Sequence, residues 1–165
     1  MTSLPRLLDW FIRLEIMAAE LYRAHVHHVP VSLKPMMHHF AHVEEHHRDV
    51  LRRLYRELVG KKPPRHFHIT YLARMLAWCL SWGGPSRILR FECFIEERAI
   101  RDYTRALAWV QHPKIRRAIH VILDDEKIHG PLIHTLKTFR HDECAHIKKM
   151  EEALRHFEKS PSYER

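Results

Sequence analysis

The chain has 165 residues, of which 45% are hydrophobic and 29% are charged. This composition predicts one globular domain and, with 4 glycines and 9 prolines, excludes collagen-like and low-complexity proteins. No apolar run approaches about 18 residues, so no transmembrane helix is expected. The formal net charge is +8, and the 17 histidines suggest metal ligands, a pH-sensitive surface or a basic face for an anionic partner.

Apolar residues recur at alternating spacings of three and four, which is typical of helices that bury one face. Proline and glycine clusters interrupt the pattern, and we therefore expect two helical hairpins, residues 3–59 and 86–139, linked by residues 60–85. All of them belong to one domain that spans residues 1–165. The predicted helices cover residues 3–28, 35–59, 69–82, 86–110 and 113–139, followed by a C-terminal helix over residues 140–158.

The first two predicted helices carry charged residues in the middle of apolar stripes. The first has the element Glu15-x-x-Ala18-x-x-x-Tyr22, and the second has Glu44-x-x-His47. An ionised carboxylate in a buried stripe is very costly unless something pairs with it. A spacing of three also places Glu44 and His47 on the same helix face.

The short third helix, over residues 69–82, is apolar and contains Trp78 and Trp82. It is too short to span a bilayer, and three interpretations stay open: a contact with a membrane surface, a lid over an apolar channel, or a cap on the end of a bundle. Several basic residues in or beside it would suit anionic headgroups. These residues are Arg65, His66, His68, Arg74 and Arg87.

The fourth and fifth helices repeat the first two. Glu96-x-x-Ala99-x-x-x-Tyr103 follows the first element by 81 residues, and Glu126-x-x-His129 follows the second by 82. One glutamate from each of two helices and a Glu-x-x-His pair from each of two others is the ligand set of dinuclear iron and manganese carboxylate bundles. The predicted metal ligands are therefore Glu15, Glu44, His47, Glu96, Glu126 and His129.

Several alternatives accompany this assignment. The same residues could form a buried hydrogen-bond network without metal. Glu97 could replace its neighbour Glu96, which we prefer because of its spacing to Tyr103. A third Glu-x-x-His, formed by Glu143 and His146, has no partner in the repeat and is expected to play no part. Carboxylate–imidazole sites accept manganese as well as iron, so the metal is left open.

The pattern over residues 4–140 resembles the ferritin-like superfamily. This resemblance implies an all-α fold, an up-down four-helix bundle with an extra connecting helix and a C-terminal helix. Three segments are similar to the bacterial demethoxyubiquinone hydroxylase family. They are Lys62-Pro63-Pro64 with the apolar helix that follows, Gly83-Gly84-Pro85, and Phe91-Glu92-Cys93-Phe94-Ile95-Glu96.

The resemblance implies a non-haem di-iron protein that uses O₂ to oxidise a small, hydrophobic or quinone-like substrate, with an external electron donor. Glu44 and Glu126 would bridge the irons, Glu15 and Glu96 would be terminal ligands, and His47 and His129 would bind one iron each. Tyr22 and Tyr103 would either contact the ligands, carry electrons or fill the core. A ferroxidase or storage protein and a rubrerythrin-type peroxidase are the alternative functions.

The remaining features bear on partners and location. Cys79, Cys93 and Cys144 include no Cys-x-x-Cys pair, which argues against a disulfide framework and a rubredoxin module. The first residues do not resemble a signal peptide, so we expect a cytoplasmic protein, peripheral to a membrane at most. A homodimer is compatible with the sequence, whereas no nucleic-acid-binding motif is present. The surface histidines are expected to include His27, His28, His38, His39, His42 and His46.

Overall fold

A computed structural model describes residues 3–138 of the chain, with side chains through residue 129. These residues form five α-helices and one short 3₁₀ turn, Val31–Leu33, with no β-strand among them. The helices are α1, Leu4–His25; α2, Lys34–Val59; α3, Phe67–Ser81; α4, Pro85–Trp109; and α5, Pro113–Thr138. The prediction of an all-α, ferritin-like helical bundle is confirmed. The predicted C-terminal helix lies outside the described residues.

The ends of the helices follow local backbone chemistry. Prolines stand in the first turn of four of the five helices, where a missing N–H costs nothing. Gly60 ends α2 in the left-handed region at φ 70°, which a residue with a side chain rarely adopts. Helix α1 stops at His25, three residues before the predicted end, because the chain turns toward Pro30, which disfavours helix in the residue before it. Helix α3 starts two residues earlier than predicted, at Phe67.

Two apolar clusters lie toward opposite ends of the bundle. One contains the beginning of α1 and of α5 and the ends of α2 and α4, with Phe11 and Ile119 among its fully buried residues. The other contains the end of α1 and the beginnings of α2 and α4, with Met37 and Ile88 fully buried. The charged residues of the apolar stripes lie between these clusters, in the middle of the four long helices.

Helix α3 packs along α1 and also contacts α4. Its buried face consists of Ile69, Ala73 and Ala77, and the two alanines let it approach Leu21 of α1 closely. Its other face leaves large apolar side chains exposed. They are Phe67, Tyr71, Leu72, Met75 and Trp78, with Trp82 just beyond the helix. A membrane contact through this face stays a prediction, and none of the described helices is both long and apolar enough to cross a bilayer.

Candidate metal centre

The six residues predicted as ligands meet in one layer between the two hairpins. Each of them is at most 2% exposed. Helix α1 contributes Glu15, α2 contributes Glu44 and His47, α4 contributes Glu96, and α5 contributes Glu126 and His129. This convergence follows from the repeat, because each helix presents its charged position at the same height of its apolar stripe.

The six side chains form two overlapping groups, each able to hold one cation. The ligand atoms of each group lie within 4.8 Å of one another. Glu44 and Glu126 belong to both groups, and this is the arrangement required of carboxylates that bridge two cations. The first group adds Glu15 and His47, and the second adds Glu96 and His129.

The spacing of the polar atoms fits a metal better than a hydrogen-bond network. The Nδ1 atom of His47 is 3.6 Å from Glu44 and 3.7 Å from Glu15, and that of His129 is 3.4 Å from Glu44. These distances exceed ordinary hydrogen bonds. Two ligands that each lie about 2.1 Å from one cation are separated by about 3.0–3.5 Å. In addition, Oε1 of Glu44 and Oε2 of Glu96 are buried without a hydrogen bond.

Two tyrosines link the hairpins at this layer. Tyr22 of α1 donates a hydrogen bond to Oε1 of Glu96 in α4, and Tyr103 of α4 donates one to Oε1 of Glu15 in α1. Each tyrosine is fully buried. Each hydrogen bond occupies one carboxylate oxygen and leaves Oε2 to face the centre. Both tyrosines therefore contact predicted ligands, and each also packs in one of the two apolar clusters.

Asp125 orients His47. Its Oδ2 atom accepts a hydrogen bond from Nε2 of His47 at 3.0 Å, so that Nδ1 is left to face the carboxylates. Asp125 is not among the residues predicted from the sequence. Its position directly before Glu126 was the available signal, but the contact depends on how α5 and α2 are aligned.

A second buried pair was missed entirely. His25 of α1 contacts Oε1 of Glu92 in α4 through Nδ1, and both side chains are fully buried. Burial raises the pKa of Glu92 to about 7, against the opposing effect of His25. Glu92 lies one helical turn before Glu96, and His25 lies one turn after Tyr22, so this pair is the next contact between α1 and α4.

The crowding of buried carboxylates shifts their protonation. Burial and then the charge of Glu44 raise the pKa of Glu15 to about 8. Burial and the nearby Glu96 likewise raise the pKa of Glu126 well above its ordinary value. For Glu44, burial acts upward, but His129 and His47 outweigh it and lower the pKa. Burial acts downward on His47, yet Asp125 and the carboxylates raise its pKa.

Glu96 and Glu97 lie on different faces of α4. Glu96 is 1% exposed and points into the layer, whereas the side chain of Glu97 is 61% exposed and lies 3.7 Å from Arg101. Glu97 therefore belongs to the outer surface of α4. The alternative motif of Glu143 and His146 lies outside the described residues.

A small cavity meets the candidate centre between α1 and α4. Its volume is about 30 Å³, and all four carboxylates line it. Ala18 and Ala99, the small residues of the repeated element, form part of its wall. Arg98, whose side chain is 49% exposed, also lines it, so that the cavity reaches close to the surface.

The other histidines divide into two kinds. Those expected at the surface are exposed or partly exposed. His66, which the sequence suggested for headgroup binding, is instead 4% exposed and lies 2.8 Å from Asp9. In the sequence His66 stands among basic residues, but the start of α3 folds back onto α1, and this contact buries the imidazole. Arg74, suggested for the same role, pairs with Glu20 at 2.8 Å.

A comparison with known protein families covers most of the described chain. A family model described as Rubrerythrin matches residues 7–137, a stretch that contains all six candidate ligands. No curated protein and no solved structure matches the chain.

Removing a shared carboxylate should reduce the metal content. Glu126→Gln is expected to bind at most one divalent ion per chain, because Glu126 belongs to both groups, whereas Glu97→Gln should bind two like the parent. Elemental analysis after anaerobic loading with Fe(II) measures the ratio, and circular dichroism checks that both variants are folded. Two ions retained in E126Q, or lost in E97Q, would contradict the assignment.

The metal-free protein should become less stable as the pH rises. Between about pH 4.5 and 8 the folded state keeps a proton on Glu15 that the unfolded chain has lost, so the folded state binds more protons and the free energy of unfolding falls with pH. Glu126 and His47 act in the same direction, while Glu44 is ionised in both states.

Urea unfolding at pH 6 and pH 8 measures this dependence, and we expect a loss of at least about 2 kcal/mol, the share of Glu15 alone. Fe(II) or Mn(II) should reverse the trend, because bound carboxylates must be deprotonated. Metal-free protein whose stability does not change or rises over this interval would refute the account of the charges.

Proposed function

The chain belongs to the rubrerythrin family, and from that premise we propose that it is a di-iron oxidoreductase that reduces a small oxygen species, dioxygen or a peroxide. The observation that carries the proposal is the cavity of about 30 Å³ bounded by the four carboxylates. Its walls include Ala18 and Ala99 beside the carboxylates, and so small a space admits only small molecules to the cluster.

The protein's first contribution is to hold the cations. Four carboxylates balance the charge of two divalent ions in a site that is almost without solvent, and hard oxygen ligands with one imidazole each suit iron or manganese. Iron held by these residues would supply electrons one at a time to a small oxidant. Asp125 fixes the ring of His47, and each tyrosine fixes a carboxylate of the opposite hairpin.

The second contribution is to keep the reacting space small. Ala18 and Ala99 create room between α1 and α4, and the residues around them exclude bulk water. Reduction of hydrogen peroxide to two molecules of water takes two electrons and two protons, and reduction of dioxygen to hydrogen peroxide takes the same. The electrons would come from an external donor.

Hydroxylation of a small apolar or quinone-like substrate is the second candidate. The apolar side chains of Leu14, Met17 and Ile95 also line the cavity and would favour such a molecule near the centre. A quinone ring is far larger than the cavity, so this function requires α1 and α4 to separate. The similarity of the connecting segment to demethoxyubiquinone hydroxylases supports this candidate independently of the cavity.

Filling the cavity should slow the reaction without removing the metal. We expect the Fe(II)-loaded protein to be oxidised rapidly by O₂ or H₂O₂, and Ala99→Leu to slow that step by about tenfold or more. The matched control is Ala108→Leu, which lies on the exposed side of the same helix. Stopped-flow absorbance follows the oxidation, and elemental analysis confirms two ions in each variant.

The same experiment separates the candidates. Faster oxidation by H₂O₂ than by O₂ favours a peroxidase, and a hydroxylated product from an added quinol, detected by mass spectrometry, favours the hydroxylase. An Ala99→Leu protein that holds two irons and reacts as fast as the control would refute the role of the cavity. Iron-loaded protein inert to both oxidants would refute the proposed function.

A further inference from the structure

A second, larger cavity lies away from the candidate metal centre. Its volume is about 420 Å³, within the range of small-molecule sites, and none of the six candidate ligands lines it. The walls come from α1, α2, the segment between α2 and α3, and the first turn of α3. Five of its lining residues are basic: Arg48, Arg52, Arg56, Lys62 and Arg65.

Three of these arginines form a row on α2. Arg48, Arg52 and Arg56 are spaced four residues apart, which places them on one helix face where like charges repel one another. Arg48 is compensated by Asp49 at 2.9 Å and by Glu45 at 3.7 Å. An anion that enters between these charges would relieve their repulsion.

The other four cations have no carboxylate in direct contact, although the charge of Asp49 also acts on Arg52. Within the described part of the chain, no carboxylate lies within 4 Å of the charged nitrogens of Arg52, Arg56, Lys62 or Arg65. Glu20 is the acidic residue among those that line the cavity, and it is already engaged. It accepts hydrogen bonds from Arg23 at 2.7 Å and from Arg74 at 2.8 Å. The cavity therefore carries a large excess of positive charge.

Arg52 is the most constrained of the five. Its Nε atom is buried and has no hydrogen-bond acceptor, and leaving a buried donor unsatisfied is costly. Burial and then the charge of Arg48 lower the pKa of the Arg52 guanidinium. An anion beside Arg52 would satisfy the donor and relieve the repulsion at the same time.

The opposite wall supplies a place for an uncharged group. Ile16, Ala19 and Pro63 are apolar, and the ring of Phe67 is 74% exposed at the edge of the cavity. Phe67 also starts α3, whose first turn has no acidic side chain and no side-chain cap. The positive end of that helix adds to the attraction for an anion.

We propose that this cavity binds a phosphorylated small molecule. Guanidinium groups recognise phosphate through paired hydrogen bonds, and the number of uncompensated cations exceeds what one carboxylate would neutralise. The phosphate lies among Arg48, Arg52 and Arg56, and a planar ring of the ligand packs against Phe67 and Pro63. A mononucleotide fits the cavity in size and has both a phosphate for the arginines and a planar ring for Phe67 and Pro63. Inorganic phosphate would contact only the arginine row.

Isothermal titration calorimetry with the full chain tests this site. The probes are inorganic phosphate, AMP and adenosine, each titrated into metal-loaded and chelator-treated protein. We expect AMP to bind more tightly than phosphate and adenosine to bind least. Arg52→Gln combined with Arg56→Gln should weaken AMP by about tenfold or more. Arg53→Gln, an exposed neighbour on α2, should change it by less than about twofold.

Three results would overturn the proposal. One is the absence of AMP and phosphate binding up to about 10 mM in the parent protein. Another is equal weakening by Arg53→Gln, which would indicate only a general effect of net charge. The third is AMP binding that survives the double arginine variant but is lost in Glu126→Gln, which would place the anion at the metal centre.

A second variant is available if circular dichroism shows that the double arginine variant does not fold. It combines Lys62→Gln with Arg65→Gln, both exposed between α2 and α3, and the same weakening of AMP binding is expected.

Discussion

Repulsion among four buried carboxylates is the constraint on which the rest of this bundle depends. Glu15, Glu44, Glu96 and Glu126 face one another between two apolar clusters, and solvent reaches almost none of their surface. Without cations the folded chain can keep them together only by retaining protons, which the raised pKa values of Glu15 and Glu126 express. Two divalent ions bound among these carboxylates would remove that cost. Folding and metal binding would then be linked in this protein.

The internal repeat builds the centre with approximate twofold symmetry, and the exceptions to that symmetry are informative. The tyrosine–glutamate contacts are symmetric, since each hairpin holds a carboxylate of the other. The repeat places Val43 in α2 where α5 has Asp125, so the hydrogen bond that Asp125 accepts from His47 has no symmetric copy through Val43.

The buried His25–Glu92 pair is a second exception. The repeat has Ala106 in place of His25 and Phe11 in place of Glu92, and Phe11 stacks on Tyr103 with ring centroids 4.2 Å apart. The layer of candidate ligands therefore has a polar pair on one side, His25 and Glu92, and stacked rings on the other, Phe11 and Tyr103. Two cations bound here would have different surroundings, although their carboxylate and imidazole ligands match.

The candidate site was predictable because its residues break a strong rule. A glutamate inside an apolar helical stripe is so costly that finding four, in a repeated register, leaves few explanations. The helices themselves were predictable from the same stripes, with errors of up to three residues where Pro30 and the fold of the chain before α3 set the ends.

Asp125, His25 and Glu92 could not be found in that way. Their roles depend on how α1 aligns with α4 and α2 with α5, and polar neighbours of a ligand look alike in the sequence whichever way they point. His25 was also hidden among 17 histidines, and of the 13 whose side chains the structure describes, nine are exposed or partly exposed. The arginine-lined cavity could not be predicted from the sequence for the same reason, because it forms only when the segment before α3 folds against α2.

The most direct test of a dinuclear centre is a crystal structure of the iron-loaded protein with anomalous scattering recorded at the iron edge. The account predicts two anomalous peaks about 3.5–4 Å apart, both within bonding distance of Glu44 and Glu126, with His47 on one ion and His129 on the other. A single peak in the bundle, or iron bound only by surface histidines, would contradict it.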